Sequence, residues 1–171
     1  MSSRISSGAN ILSSDALGDF LKDCRLLVVL GIGNELKGDD AVGIEIVKRI
    51  KKDGRVKAFA AHTVPDSFVM PVIREKPSHV LIADAAMLDM KPGGWRLIDG
   101  DSISESMFGT HLIPLTAVGK RIAAESGAKV AYICVQPKAL TLGSKLSTEL
   151  AKTARDIAKL IMADTKKEKE S

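Results

Sequence analysis

Residues 26–43 of this 171-residue chain read LLVVLGIGNELKGDDAVG, and they decide the fold class. The run Leu26–Leu30 is too short for an independent helix and is closed by Gly31, which is typical of a strand buried on both faces in a parallel sheet. From Asp39 the apolar residues recur at helical spacing, at Gly43, Ile46, Val47 and Ile50. Acidic residues stand at the start of this amphipathic helix. A buried strand, a polar loop and a helix are the beginning of an α/β domain.

The same alternation continues along the chain. Strands are predicted at Val56–Ala60, Val80–Ala83, Trp95–Ile98 and Val130–Val135. Helices are predicted around residues 68–73, 115–123 and 146–161. Because strands that alternate with helices are joined by right-handed crossovers, we predict a three-layer α/β/α sandwich. Its central sheet should be mostly parallel and contain about five strands.

The length favours one domain, which we place at residues 25–164. Residues 1–24 are expected to be an N-terminal extension, with a short helix from Asp15 to Cys24 that stands outside the core. Residues 165–171 are rich in lysine, and we expect them to form a basic, flexible, solvated tail.

Composition excludes several classes of protein. The chain is 45% hydrophobic and 27% charged, with a net charge of +4, and it has no apolar run near the ~18 residues of a membrane helix. Aromatic residues make up only 4%, which leaves few stacking platforms for nucleic acid. The start of the chain lacks the pattern of a secretory signal. We therefore expect a cytoplasmic monomer without membrane insertion, in which Cys24 and Cys134, beside apolar runs, are free buried thiols.

Three polar stretches are predicted at the carboxyl edge of the sheet, where open α/β sheets bind ligands. Asp39 and Asp40 stand near a helix N-terminus, Asp84 closes an apolar strand, and His111 precedes a helix. Each has a structural alternative: helix capping for the acidic pair, a hydrogen bond to a loop amide for Asp84, and a purely structural role for His111. Taken together, two carboxylates and one imidazole indicate an open site for a divalent metal. His62 and His79 are weaker candidates.

Other known motifs are missing. A dinucleotide-binding loop would need glycine where Leu36 stands, and no phosphate-binding P-loop is present. The chain has neither a Gly-x-Ser-x-Gly nucleophile elbow nor a His-Glu-x-x-His zinc helix. Cys134 is predicted to lie inside a strand, which disfavours a Cys–His nucleophilic pair.

The motif Gly31-x-Gly33-Asn34-x-Leu36-x-x-Asp39-Asp40-x-x-Gly43 resembles the opening motif of the [NiFe]-hydrogenase maturation endopeptidases, in particular the hydrogenase-3-type processing proteases. Further matching stretches follow in order: Ile82–Ala85, Lys91–Gly93, Thr110–Leu115 and Gln136–Pro137. The resemblance covers about Leu26 to Leu160.

The resemblance implies an endopeptidase of the aspartyl type that removes the C-terminal extension of a hydrogenase large-subunit precursor after nickel insertion. The family's metal-contacting and catalytic positions carry over to Asp40, Asp84 and His111. Nickel is then supplied by the substrate, and the partner is the large-subunit precursor. One departure is Ala60, where many relatives have aspartate; that acid is either dispensable or replaced by Asp66 or His62.

Two other functions are compatible with parts of the pattern. A non-catalytic chaperone or binding module for the nickel-loaded large subunit would use the same three ligands. A nucleotide-binding domain would use residues 31–34, but the missing third glycine disfavours it.

Overall fold

The computed structural model describes residues 9–51, 53–102 and 113–170. The strands are β1 Leu27–Ile32, β2 Val56–His62, β3 His79–Ala85, β4 Trp95–Asp99 and β5 Lys129–Val135. The helices are α1 Ala9–Phe20, α2 Val42–Arg49, α3 Val69–Arg74, α4 Ile113–Ser126 and α5 Thr148–Glu170. Short 3₁₀ turns occur at Gly38–Ala41, Pro65–Phe68 and Gly100–Ser102.

The five strands form one sheet in the order β2-β1-β3-β5-β4. All neighbours are parallel except β4, an edge strand that runs antiparallel to β5. The central strand β1 is buried along its whole length, as expected for a strand covered on both faces. The predicted α/β class and the mostly parallel five-stranded sheet are therefore confirmed.

Each face of the sheet carries its own apolar core. One core contains Leu17, Ile46 and Ile157, so α1, α2 and α5 pack on that face. The other contains Val72 and Ile122, from α3 and α4. This is the predicted three-layer arrangement, with helices on both sides of the sheet.

The two ends of the chain differ from expectation. The side chains of Leu17 and Leu21 are fully buried, and Ser13 Oγ donates to the backbone oxygen of Trp95 at 2.9 Å. The helix expected to stand outside the core is therefore packed against it. At the other end α5 continues to Glu170, and Thr165 is buried with its hydroxyl donating to Ile161 O at 2.8 Å. The expected flexible tail is helical up to residue 170.

Both cysteines are buried, and neither forms a disulfide in the part of the chain that the structure describes, as predicted. Among the residues that the structure describes, no helix is both long enough and apolar enough to cross a membrane.

Candidate active site

Two glycines allow the start of α2 to sit directly on the sheet edge. Gly33 has φ 144°, and a Cβ there would lie 1.8 Å from the backbone oxygen of Asp40. At Gly43 a Cβ would lie 2.2 Å from the backbone oxygen of Ala83. Only glycine permits such close backbone approach. The loop after β1 is thereby pressed against the carboxyl end of β3, which brings Asp40 close to Asp84.

Asp40 lies in the 3₁₀ turn and is partly exposed. Its Oδ2 accepts a hydrogen bond from the backbone N–H of Asn34 at 2.8 Å, and Asn34 Oδ1 accepts from Leu36 N at 2.9 Å. Within the described ranges Oδ1 of Asp40 has no hydrogen-bond partner. One oxygen of the carboxylate is therefore fixed by a hydrogen bond, and the other is available to a ligand.

Asp84 is held in the same way. Its Oδ1 accepts from the backbone N–H of Ala85 at 2.8 Å, and the described part of the chain offers no partner to Oδ2. Burial, and secondarily repulsion from Asp40, raise the pKa of Asp84 to about 7, against the Ala85 hydrogen bond that lowers it. The two carboxylates are thus close enough to repel each other at the carboxyl edge.

Asp39 has a different role from its neighbour. It is 1% exposed, and its carboxylate accepts backbone hydrogen bonds from Lys138 at 2.8 Å, Ala139 at 3.1 Å and Ser147 at 2.7 Å. Charge-assisted bonds of this kind are strong. Asp39 therefore fixes the loop between β5 and α5. Its role is structural, but it is not the helix capping expected for the acidic pair, since neither the 3₁₀ turn nor α2 has a side-chain cap hydrogen bond.

Gln136 also organises the edge, and no role was predicted for it. It is 6% exposed, and its Oε1 accepts from Leu88 N at 2.7 Å while its Nε2 donates to Pro137 O at 3.1 Å. It ties the loop after β3 to the loop after β5. A polar residue directly after a buried strand was the available signal.

His111 lies outside the described residues; α4 begins two residues after it, at Ile113. Across the described ranges, no group of three or more His, Cys, Asp or Glu side chains is placed to hold a metal ion. His79 lies at the amino end of β3, as predicted, and its ring packs edge-on against Phe20 with centroids 5.2 Å apart.

His62 and Asp66 are the candidates to replace the aspartate that is absent at residue 60. Ala60 packs in the core on the α2 side of the sheet. His62 ends β2 with an exposed side chain, its Nδ1 3.8 Å from Oε2 of Glu35. Asp66 is exposed and interacts electrostatically with Arg121. Neither His62 nor Asp66 acts on the pKa of Asp84.

Cys134 is in register with Asp84 on the neighbouring strand. It is 1% exposed, and burial together with the charge of Asp84 raises the pKa of its thiol to about 12. Nucleophilic cysteines need the thiolate, so this thiol is unsuited to attack at neutral pH.

The comparisons with known proteins agree on one family. The family model described as "HycI: Hydrogenase maturation protease" matches residues 41–164. The chain belongs to this hydrogenase maturation protease family. It is 40% identical over 134 residues to the Methanocaldococcus jannaschii protein named "Putative hydrogenase maturation protease", a match that covers 72% of this chain and 79% of the relative.

Two further comparisons agree with the family. The chain is 28% identical over 113 residues to the hydrogenase 3 maturation protease of Escherichia coli, covering 64% of this chain and 72% of that protein. The crystal structure of a [NiFe] hydrogenase maturation protease from Thermococcus kodakarensis superposes with a TM-score of 0.82 at 27% identity. That match covers 88% of this chain and 99% of the other. The family model includes Asp84 and begins one residue after Asp40.

Proposed function

We propose that this protein is an endopeptidase that removes the C-terminal extension of a [NiFe]-hydrogenase large-subunit precursor, and that it recognises the nickel already bound to that precursor. Family membership supports the reaction class. The observation that carries the nickel recognition is the pairing of Asp40 with Asp84 at the carboxyl edge, where each carboxylate keeps one oxygen without a hydrogen-bond partner among the described residues.

Charge supports a cation as the group that these acids meet. Two neighbouring carboxylates repel each other, and a divalent cation placed between them removes that repulsion. Carboxylate and imidazole ligands suit borderline divalent metals. Asp40 and Asp84 therefore contact the nickel of the substrate, with His111 as the third protein contact. The remaining ligands stay on the precursor, which brings its own metal as part of the substrate.

The same edge presents an apolar surface suited to a protein substrate. Five of the six exposed large hydrophobic side chains in the described ranges lie in loops that follow the parallel strands. They are Leu36, Val64, Met87, Leu140 and Leu142. We call them the carboxyl-edge apolar residues. Exposed apolar side chains grouped at one edge of the sheet favour a protein partner there.

In the proposed reaction, water adds to the scissile carbonyl carbon, the C–N bond breaks and the new amine takes a proton. A nickel ion bound to the precursor lowers the barrier either by polarising that carbonyl or by activating the water. Asp40 and Asp84 hold the metal-bearing segment in place for this step. A non-catalytic chaperone for the nickel-loaded subunit would use the same contacts without cutting.

The test is incubation with nickel-loaded and nickel-free large-subunit precursor at equal concentration, analysed by mass spectrometry. Wild type should shorten only the nickel-loaded precursor, by the mass of its C-terminal extension. Asp40→Asn and His111→Ala should abolish the cut, while Asp101→Asn, at an exposed acid beyond β4, should process normally. Equal cutting of both precursors would refute nickel recognition, and binding without any cutting would establish the chaperone.

A further inference from the structure

Arg96, on the edge strand β4, is a partly buried cation outside the acid pair. Its Nε is fully buried and has no hydrogen-bond partner. Within the described residues no carboxylate forms an ion pair with its guanidinium. Arg96 as a whole is only partly buried, but burial of its Nε without a hydrogen bond is unfavourable, because the desolvation of that polar atom is not offset. An arginine in this state is suited to binding an anionic group of another molecule.

The sheet register relates Arg96 to the candidate active site. Arg96 lies opposite Cys134 in the β4–β5 pair, and Cys134 lies opposite Asp84 in the β3–β5 pair. Residues paired across strands project to the same face of a sheet. Asp84, Cys134 and Arg96 therefore form one row across three strands.

The row places opposite charges at a defined separation. Neighbouring strands are about 4.8 Å apart, so the Asp84 and Arg96 backbones are separated by about 10 Å. Cys134, between them, is 1% exposed and adds neither a carboxylate nor a guanidinium to the row. Among the described residues, the row has the Asp84 carboxylate at one end and, at the other, a guanidinium without a carboxylate partner. A ligand that fits it carries a cation and, about two strand spacings away, an anion.

We propose that Arg96 binds a carboxylate of the precursor segment while Asp40 and Asp84 contact its nickel. This rests on the proposed function and adds a second anchor to it. Guanidinium pairs with carboxylate through two parallel hydrogen bonds, which fixes orientation as well as affinity. The carboxylate belongs either to an acidic side chain of the C-terminal extension or to the chain's terminal carboxyl group.

The test is direct binding and steady-state processing of nickel-loaded precursor by Arg96→Gln, with Arg74→Gln as the control. Arg74 is an exposed arginine on α3. Losing one partner of a partly buried charge pair weakens binding, so we expect Kd and KM to rise by about 10-fold with kcat little changed. Arg74→Gln should behave as wild type. Unchanged Kd and KM in Arg96→Gln would overturn the proposal.

Two precursor variants identify the carboxylate. One has the acidic side chains of its extension changed to amides, and the other has its terminal carboxyl group amidated. The relevant change should weaken binding to wild type but add little to the effect of Arg96→Gln, as expected for contacting partners. If neither change weakens binding, Arg96 has no carboxylate partner and the proposal is wrong.

If Arg96 served the fold instead, replacing it should lower the thermal midpoint of the free protein. Since the guanidinium has no carboxylate partner among the described residues and its Nε is buried without a hydrogen bond, Arg96→Met should keep or raise the thermal midpoint of the free protein, and a marked drop would overturn the inference. Failure of the proposed function is distinguishable, because wild type would then leave nickel-loaded precursor uncut. A wild type that does not bind the precursor at all would overturn both proposals.

Discussion

Replacing Asp84 by asparagine should stabilise the metal-free protein above neutral pH. Asparagine has the same shape, and its Oδ1 still accepts the 2.8 Å hydrogen bond from Ala85 N. What disappears is a carboxylate that is desolvated in the fold and repelled by Asp40. An acid held for the fold would stabilise it, whereas an acid held for a ligand is a stability cost in the free protein.

The sign and size follow from the pKa of Asp84, about 7 in the folded protein and 3.8 as the reference value. Between these values the folded state binds more protons than the unfolded state, so stability falls as pH rises from about 4 to 7. The full shift corresponds to ~4 kcal/mol at ~1.4 kcal/mol per pH unit. Partial exposure of the side chain screens the charge, leaving ~2 kcal/mol. For a chain of this size that is a rise of ~4–8 °C in Tm.

The assay is urea denaturation of wild type and Asp84→Asn at pH 4.5 and pH 8, with a chelator to remove stray metal. The difference in free energy of unfolding should be small at pH 4.5 and reach ~2 kcal/mol at pH 8 in favour of the variant. The same variant should fail to process nickel-loaded precursor. A variant less stable than wild type at pH 8, or a gap independent of pH, would show that Asp84 serves the fold.

Two further predictions distinguish a residue that stabilises the carboxyl edge from residues that bind the precursor there. Asp39→Asn should lower the free energy of unfolding by ~2–4 kcal/mol in urea titrations at pH 8, because one amide oxygen cannot replace both oxygens that accept three backbone N–H groups; wild-type stability would contradict the bracing role. The double change Leu36→Ser with Leu142→Ser should leave Tm nearly unchanged but weaken precursor binding by ~10-fold, since both side chains are about 70% exposed. The matched control is Met70→Ser on α3, and equal binding by all three proteins would exclude the carboxyl-edge apolar residues from docking.

The sequence predicted the fold where local pattern and burial agree. The run Leu26–Leu30 reads as a buried strand because β1 is covered on both faces, and the α2 helix follows from its apolar spacing. The packing of α1 was missed, since its buried contacts, such as Ser13 to Trp95, join residues 82 positions apart. The helical end of α5 was missed because lysine content suggests solvation, although Thr165 is buried there.

Their positions after strands indicated Asp39, Asp40 and Asp84 as candidates, and only the family resemblance singled out Asp40 from Asp39. No feature of the residues themselves assigned Asp39 its structural role. Asp39 and Asp40 are adjacent and chemically identical, so no local pattern distinguishes them. Asp39 has a structural role because backbone N–H groups of the loop at residues 138–147, about 100 positions away, donate to its carboxylate. Arg96 was not singled out either, because its position becomes informative only when β4 pairs with β5.

Asp39 and Asp40 are neighbours, but among the described residues one is fully hydrogen-bonded and the other is not. One short motif therefore contributes both to the rigid frame and to the candidate site. The carboxylate of Asp39 is satisfied by backbone donors, so it lowers the energy of the free protein whether or not a ligand is present. The carboxylates of Asp40 and Asp84 repel each other and keep oxygens without partners in the described ranges, so either a proton or a bound cation relieves the repulsion. Together with the proposed contact from His111, they would provide three ligands, fewer than a divalent metal usually takes, which leaves positions for ligands from a second molecule. On the proposed function, that second molecule is the precursor, and a nickel-free precursor would lack the group that draws its scissile bond to this edge.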